Sequence, residues 1–318
     1  MIISASRRTD IPAFYSEWFM NRIRAGYCTV PNPFNIKQIS RIGLRRDDVT
    51  AIVFWTRNPR PLFPYLDELE TAGYLFYFQY TLMANPREID PKSPPMEQAV
   101  RTFRELANRV GAERVVWRYD PIVLSNRTDV QYHIDTYARI AQALAGSTKR
   151  SVISLVDDYK KAHKRMNDLA EKDIHVQYSA SEISEQTAHL LNSLKQAADS
   201  HGYAIQSCAE AINLTPYGIR PGKCIDDELL KTVFSIDIPF TKDKTQREAC
   251  GCITSRDIGV YDTCTFGCQY CYATKSFDLA RRNHAEHDPQ SPSLIGHFDV
   301  PEAKEDTQTE EPTQLPLF

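Results

Sequence analysis

Eight cysteines stand in 318 residues, and five of them fall between positions 250 and 271. The last three, Cys264, Cys268 and Cys271, are spaced C-x3-C-x2-C, with Tyr270 directly before the third. Three thiolates at this spacing can wrap one face of a [4Fe–4S] cube and leave its fourth iron without a protein ligand. An iron left open in this way can bind a substrate or cofactor directly. Zinc also takes closely spaced cysteines, so the spacing alone leaves a structural zinc site as the alternative.

Cys208, Cys224, Cys250 and Cys252 make a second candidate set for an auxiliary [4Fe–4S] cluster or a zinc ion. Cys250 and Cys252 are held together by Gly251, which is expected to let the backbone turn tightly between two ligands. Cys224 follows Arg220-Pro221-Gly222-Lys223, a turn-rich stretch of the kind that carries ligands. The alternative is that Cys208 and Cys224 are small buried hydrophobes, as free cysteines often are. Cys28 reads as a core thiol before it reads as a hydrogen-atom donor. His284 and His287 lack the order of a zincin helix and read as surface or packing histidines. Arg41, Arg45 and Arg46 beside Asp47 and Asp48 read as a solvated edge.

These residues need a frame. The chain is long enough for one large α/β core. No run of about 18 apolar residues marks a membrane span. The start, MIISASRRTD, reads as a strand rather than a signal peptide. A cytosolic protein is expected, in which clustered cysteines mean metal or redox chemistry rather than disulfides. Apolar runs predict strands over 2–6, 50–56, 75–82, 114–119, 151–156 and 203–207. Helical periodicity predicts helices after Pro12 and over 62–70, 96–110, 131–144 and 182–201. Such alternation argues for a parallel sheet with its site at the strand C-termini. Those ends carry Arg7-Arg8-Thr9-Asp10, Thr56-Arg57-Asn58, Arg118 with Asp120, Asp157-Asp158, and Cys208 with Glu210.

The cysteine spacing, with its aromatic residue, resembles the signature of radical S-adenosylmethionine (SAM) enzymes. In that superfamily the open iron chelates SAM. The resemblance implies a permuted, partial TIM-like radical SAM barrel with outer helices. Here the cysteine loop comes last, after a strand expected at 259–262, rather than following the first strand. In that arrangement the chain is similar to an uncharacterised bacterial family with a C-terminal cysteine cluster, over a body running from Ser4 to Ala273. Phe54-Trp55-Thr56-Arg57-Asn58-Pro59 and Arg118-Tyr119-Asp120-Pro121 resemble, more weakly, pieces of spore photoproduct lyase. On this reading Arg7, Arg8, Thr9 and Asp10 line the SAM side, with Arg118 and Asp120 opposite. The strand before Cys264 is then expected to pair with the strand at 2–6.

Residues 1–298 are read as this domain, with its cluster loops at 208–271. Residues 299–318 hold six acidic residues and one lysine, a net −5, so the total of −3 leaves the body at +2. That tail has the composition of a disordered segment. It ends in Gln314-Leu315-Pro316-Leu317-Phe318, similar to the Gln-Leu-x-Leu-Phe peptide that docks bacterial repair and replication proteins on the DNA sliding clamp. Gln314, Leu315, Leu317 and Phe318 are the expected anchors. The combined reading is a radical-SAM-like enzyme acting on DNA or another nucleic acid. Two alternatives stay open: a non-catalytic metal-stabilised module recruited to DNA, and a radical SAM enzyme acting on a small molecule or peptide.

Overall fold

The computed structural model describes residues 1–178, 182–298 and 300. The twelve strands described are β1 (Ile2–Ala5), β2 (Tyr27–Asn32), β3 (Asn35–Gly43), β4 (Ala51–Thr56), β5 (Phe76–Thr81), β6 (Val115–Ile122), β7 (Leu124–Ser125), β8 (Arg150–Leu155), β9 (Val176–Gln177), β10 (Ala204–Ser207), β11 (Arg220–Pro221) and β12 (Arg256–Asp257). Eight of them form one sheet in the order β11-β10-β8-β6-β5-β4-β1-β12, every pairing parallel. All six strands expected from the apolar runs are present, each within a few residues of its expected bounds.

Alternate residues of these strands feed two cores, because side chains on a strand point to opposite faces. Ile52, Phe54, Phe76 and Phe78 join Trp18, Phe19, Phe103, Tyr137 and Leu190 in the larger core. Ala51, Val53, Tyr77, Val116 and Val152 face the other way, onto Ile225, Leu229 and Leu230. The helices Ser16–Ala25, Met96–Val110, Val130–Ala143 and Glu185–Ser200 therefore cover one face, and Asp227–Phe234 packs on the other.

The edge strands β11 and β12 do not pair with each other among the described residues, so the sheet is open and no closed barrel is formed by these strands. The expected pairing of the last strand with the first is present, with Ile3 opposite Arg256 and Ser4 opposite Asp257. It occurs three residues earlier than 259–262. Gly259 lies so close to Ser6 that a Cβ there would stand 2.0 Å from Ser6 Oγ. The chain at that point leaves the ladder and packs face-on against the loop after β1.

The helix expected after Pro12 is broken at Tyr15 into Ile11–Phe14 and Ser16–Ala25. Pro61 and Pro64 tighten the start of the next helix into a 3₁₀ turn, Arg60–Tyr65, before Leu66–Thr71. The antiparallel hairpin β2–β3 was not expected, since Pro31 and Pro33 interrupt its apolar pattern. No helix among the described residues is long and apolar enough to cross a membrane. Apart from Val300, the expected acidic tail with its terminal peptide lies outside the described residues.

Candidate functional site

The C-terminal ends of the parallel strands meet at a cavity of about 250 Å³. Its wall includes Arg7, Arg8, Thr9 and Asp10 after β1, Arg118 and Asp120 on β6, and seven of the eight cysteines. The residues expected at 7–10, 118 and 120 and both cysteine sets are thus brought to one place by the fold.

Asp257 fixes how the loop after β1 meets the segment after β12. Its Oδ2 accepts from Ser4 Oγ (2.6 Å) and from the Arg7 backbone N–H (2.8 Å). Its Oδ1 accepts from Ser6 Oγ (2.6 Å) and from the Gly259 N–H (2.9 Å). Arg8 spans the same seam, with Nη1 donating to Gly259 O at 3.4 Å and its guanidinium over the Tyr261 ring. Asp10 ties the loop to β4: Oδ1 caps the helix at Ala13 N and Oδ2 accepts from Arg57 N at 2.7 Å. Burial pushes the Asp10 carboxyl up to about 7, against the pull of these donors.

The loop of Cys264, Cys268 and Cys271 is clamped from several sides. Tyr15 Oη donates to Thr263 O at 2.7 Å, and the Gln269 N–H donates to Ile89 O at 3.0 Å. Arg165 donates to Cys271 O at 2.7 Å and to Gln269 O at 3.2 Å. Tyr270, the aromatic residue of the spacing, donates to Asp90 Oδ2 at 3.0 Å and is hydrogen-bonded to Arg57. Arg57 in turn contacts Asp90 and Ser93. Burial pushes the Cys264 and Cys268 thiols up; the Arg57 charge pulls Cys268 the other way. Tyr272 Oη donates to Arg7 O at 3.0 Å and so joins this loop to the one after β1.

On the far side of the cavity, Cys208 Sγ and Cys224 Sγ are 3.4 Å apart. Arg118 Nη1 donates to Cys224 Sγ at 2.8 Å and to Gln79 Oε1 at 3.2 Å, and the same guanidinium is paired with Asp120. Arg118 and Asp120 therefore sit with the second cysteine set. Cys252 Sγ accepts the backbone N–H groups of Cys224 (3.3 Å) and Ile225 (3.4 Å). The hydrogen bond from Cys224 holds Cys208 down at about 7, and those from Cys224 and Cys250 lower Cys252, while Cys224 and Cys250 are raised. Gly251, expected to let the backbone turn tightly, does not take a left-handed φ; a Cβ there would stand 3.3 Å from Lys223 Cγ and 3.5 Å from Gly222 O.

Three donors on residues that line this cavity are buried without hydrogen-bond partners among the described residues: Arg7 Nη2, Arg8 Nε, which lies 4.0 Å from Asp257 Oδ1, and Thr9 Oγ1. Orphaned buried donors are costly unless something else satisfies them. The arrangement suits an anionic ligand group beside the cysteine loop. Among the described residues, no three Cys, His, Asp or Glu side chains already stand in metal-holding geometry.

Asp257 and Asp90 were not singled out from the sequence, and Trp55 was named only within the segment 54–59. Trp55 stacks under Arg7 at 5.2 Å. Asp257 carries a weak signal in hindsight, an acidic residue two before a glycine next to the cysteine loop. His284 and His287 pack edge-on against Tyr15, and Cys28 is a core thiol that burial pushes up to about 12.

The chain belongs to the DUF1848 family, described as a domain of unknown function, which it matches over residues 2–273. That span covers β1 through the end of the cysteine loop, the body over which the resemblance to an uncharacterised family was read. No curated protein matches the chain.

Proposed function

We propose that this DUF1848 chain is a radical-SAM-type [4Fe–4S] enzyme whose substrate is a nucleic acid. The observation that carries the reading is a juxtaposition. Cys264, Cys268 and Cys271 share a cavity with orphaned donors of Arg7, Arg8 and Thr9, at the C-terminal edge of an all-parallel sheet. Three thiols at this spacing are the donor set of a cluster with one open iron, and unpaired donors of this kind suit the carboxylate of SAM. When bound, such a cluster supplies one electron for reductive cleavage of the SAM sulfonium.

This chain's residues do the rest. Arg7 and Arg8 hold positive charge beside the anionic end of the cofactor. Asp10 fixes the loop that carries them. Tyr270, Asp90 and Arg57 orient the cysteine loop. The eight-stranded sheet, with most of its helices on one face, is read as the wall of a partial barrel whose usual first strand comes last.

The nucleic-acid part rests on the terminal peptide with Gln314, Leu315, Leu317 and Phe318, and on the weaker likeness to spore photoproduct lyase. A base would have to be flipped out of a duplex to enter the cavity. The cavity volume also suits a small molecule, which remains the second reading.

The test is anaerobic purification with assays for iron, sulfide and SAM cleavage. The expected result is about four irons on the three-cysteine site, lost when Cys264, Cys268 and Cys271 are all changed to alanine. Protein that carries zinc there, or that never cleaves SAM, overturns the enzyme reading. Salt-insensitive or absent DNA binding removes the nucleic-acid part and leaves the small-molecule reading.

A further inference from the structure

The four remaining cysteines of the cavity are drawn from three separate parts of the chain. Cys208 follows β10, Cys224 follows β11, and Cys250 and Cys252 come from the segment that leads into β12. Folding alone does not require four thiols to line one cavity. They do so here: Cys208 touches Cys224, Cys252 accepts from the backbone of Cys224, and Cys250 lines the same cavity as the other three.

We infer that Cys208, Cys224, Cys250 and Cys252 form a second thiolate site for a thiophilic metal centre, either one zinc ion or an iron–sulfur cluster. The hydrogen bonds around these four sulfurs do not involve the three-cysteine loop. Three observations support it.

The first is the hydrogen bonding around sulfur. Two backbone N–H groups, of Cys224 and Ile225, aim at Cys252 Sγ, and the Arg118 guanidinium aims at Cys224 Sγ. Donors directed at sulfur are what a ligating thiolate needs from its surroundings. A neutral thiol is a weak acceptor and gains little from them.

The second is charge. Arg118, shared with Asp120, is buried beside this group, and the Arg7 side chain, 8% exposed, adds a second positive charge next to Cys252, with Asp243 3.9 Å from its Nη1. A tetrathiolate around a divalent ion carries a net −2, as does one around an oxidised [4Fe–4S] core. Buried guanidiniums are the natural counterions of such a group.

The third is spacing and shell. A tetrahedral ion with metal–sulfur bonds of about 2.3 Å has sulfurs about 3.8 Å apart. The Cys208–Cys224 separation of 3.4 Å is close to that edge. Sulfurs on a cube bind separate irons and stand further apart, so a cluster requires this pair to open. Either centre requires the sulfurs to turn about their single side-chain torsions, since among the described residues no three of them already stand around one point. The surrounding Ile225, Leu229, Leu230 and Ile253 make a dry shell that slows metal exchange.

The experiment uses the full chain with Cys264, Cys268 and Cys271 changed to alanine, purified anaerobically from medium containing both metals. Metal analysis is expected to find about one zinc, or about four irons with matching sulfide, per chain. Zinc replaceable by cobalt with intense sulfur-to-cobalt absorption identifies the single ion. Acid-labile sulfide with brown absorption identifies the cluster. Cys224→Ser together with Cys252→Ser, added to this chain, should abolish the metal. Since that variant can fail to fold, thiol alkylation of the triple variant gives a second measure. Cys208, Cys224, Cys250 and Cys252 should resist labelling until a chelator is added. Metal-free protein after reconstitution, free labelling of all four without chelator, or a Cys208–Cys224 disulfide in the anaerobic protein overturns the inference.

Discussion

Replacing Asp257 by asparagine tests how the cysteine loop is attached. The side chain is buried, and its two oxygens accept four hydrogen bonds, two from hydroxyls and two from backbone N–H groups. Asparagine keeps the shape but turns one oxygen into an NH₂. With the NH₂ at the Oδ1 position, the Ser6 hydroxyl can turn and accept, but the Gly259 N–H faces a donor. With it at Oδ2, Ser4 can turn and the Arg7 N–H is stranded. Either way one buried backbone N–H loses its partner, which costs about 1–3 kcal/mol. The remaining bonds lose their charge assistance, adding roughly 1–2 kcal/mol more. The sum is about 2–5 kcal/mol, which for a chain of this size lowers Tm by on the order of 10 °C. Urea denaturation and thermal scans read the loss, and thiol labelling reads the loop. Cys264 and Cys268 should label faster in Asp257→Asn than in Ser4→Ala, which removes one bond and strands no backbone group. An asparagine variant within about 0.5 kcal/mol of the parent, the ordinary range of a surface change, refutes this account.

Gly259→Ala drives a methyl against Ser6, whose hydroxyl is already fixed by Asp257 and by the Arg8 N–H, so it cannot simply yield. The expected cost is about 1–3 kcal/mol with reduced iron uptake, read by denaturation and metal analysis. His133 is buried, accepts from Tyr119 and donates to Val123 O, so burial depresses its pKa to about 4. Its contribution is complete above about 6.5 and is lost as pH falls toward 4, by up to about 3 kcal/mol; His133→Gln should flatten that slope in urea melts. Asp10 runs the other way, since its raised pKa makes its contribution fall as pH rises from about 4 to about 7. The peptide containing Gln314, Leu315, Leu317 and Phe318 should bind a purified bacterial sliding clamp in calorimetry, and Leu317→Ala with Phe318→Ala should abolish binding without changing metal content.

The apolar runs made the six main strands legible, because a strand buried on both faces needs continuous hydrophobic sequence. The same logic could not find β11 and β12. Each is two residues long, and Arg220–Pro221 and Arg256–Asp257 carry no apolar signal at all. They are strands only because neighbouring ladders hold them. The site was legible where one residue type carries the chemistry, as with the cysteines, or where polar residues end a strand, as with Arg7 to Asp10. Asp257 and Asp90 were not, since their roles come from partners 250 and 180 positions away. Element alternation made the parallel sheet legible, whereas closure into a barrel depends on how the edges meet, which alternation does not encode.

The late position of the cysteine loop has a structural consequence. In a parallel sheet, any strand can be last in sequence if it lands beside the right neighbour, but β12 has only two residues with which to do so. So short a ladder cannot hold a loop in place by itself. The holding is transferred to side chains: Asp257 across β1, Arg8 to Gly259 O, Tyr15 to Thr263 O, and Tyr272 to Arg7 O. Three of these four contacts involve the stretch from Ser4 to Arg8, the same stretch that presents unpaired donors to the cavity. Attachment of the loop and preparation of the ligand site are therefore one set of contacts. A change along the seam from Ser4 to Arg8 loosens the loop and disturbs Arg7 and Arg8 together, so on the proposed reading loss of metal and loss of cofactor affinity should travel together in variants there.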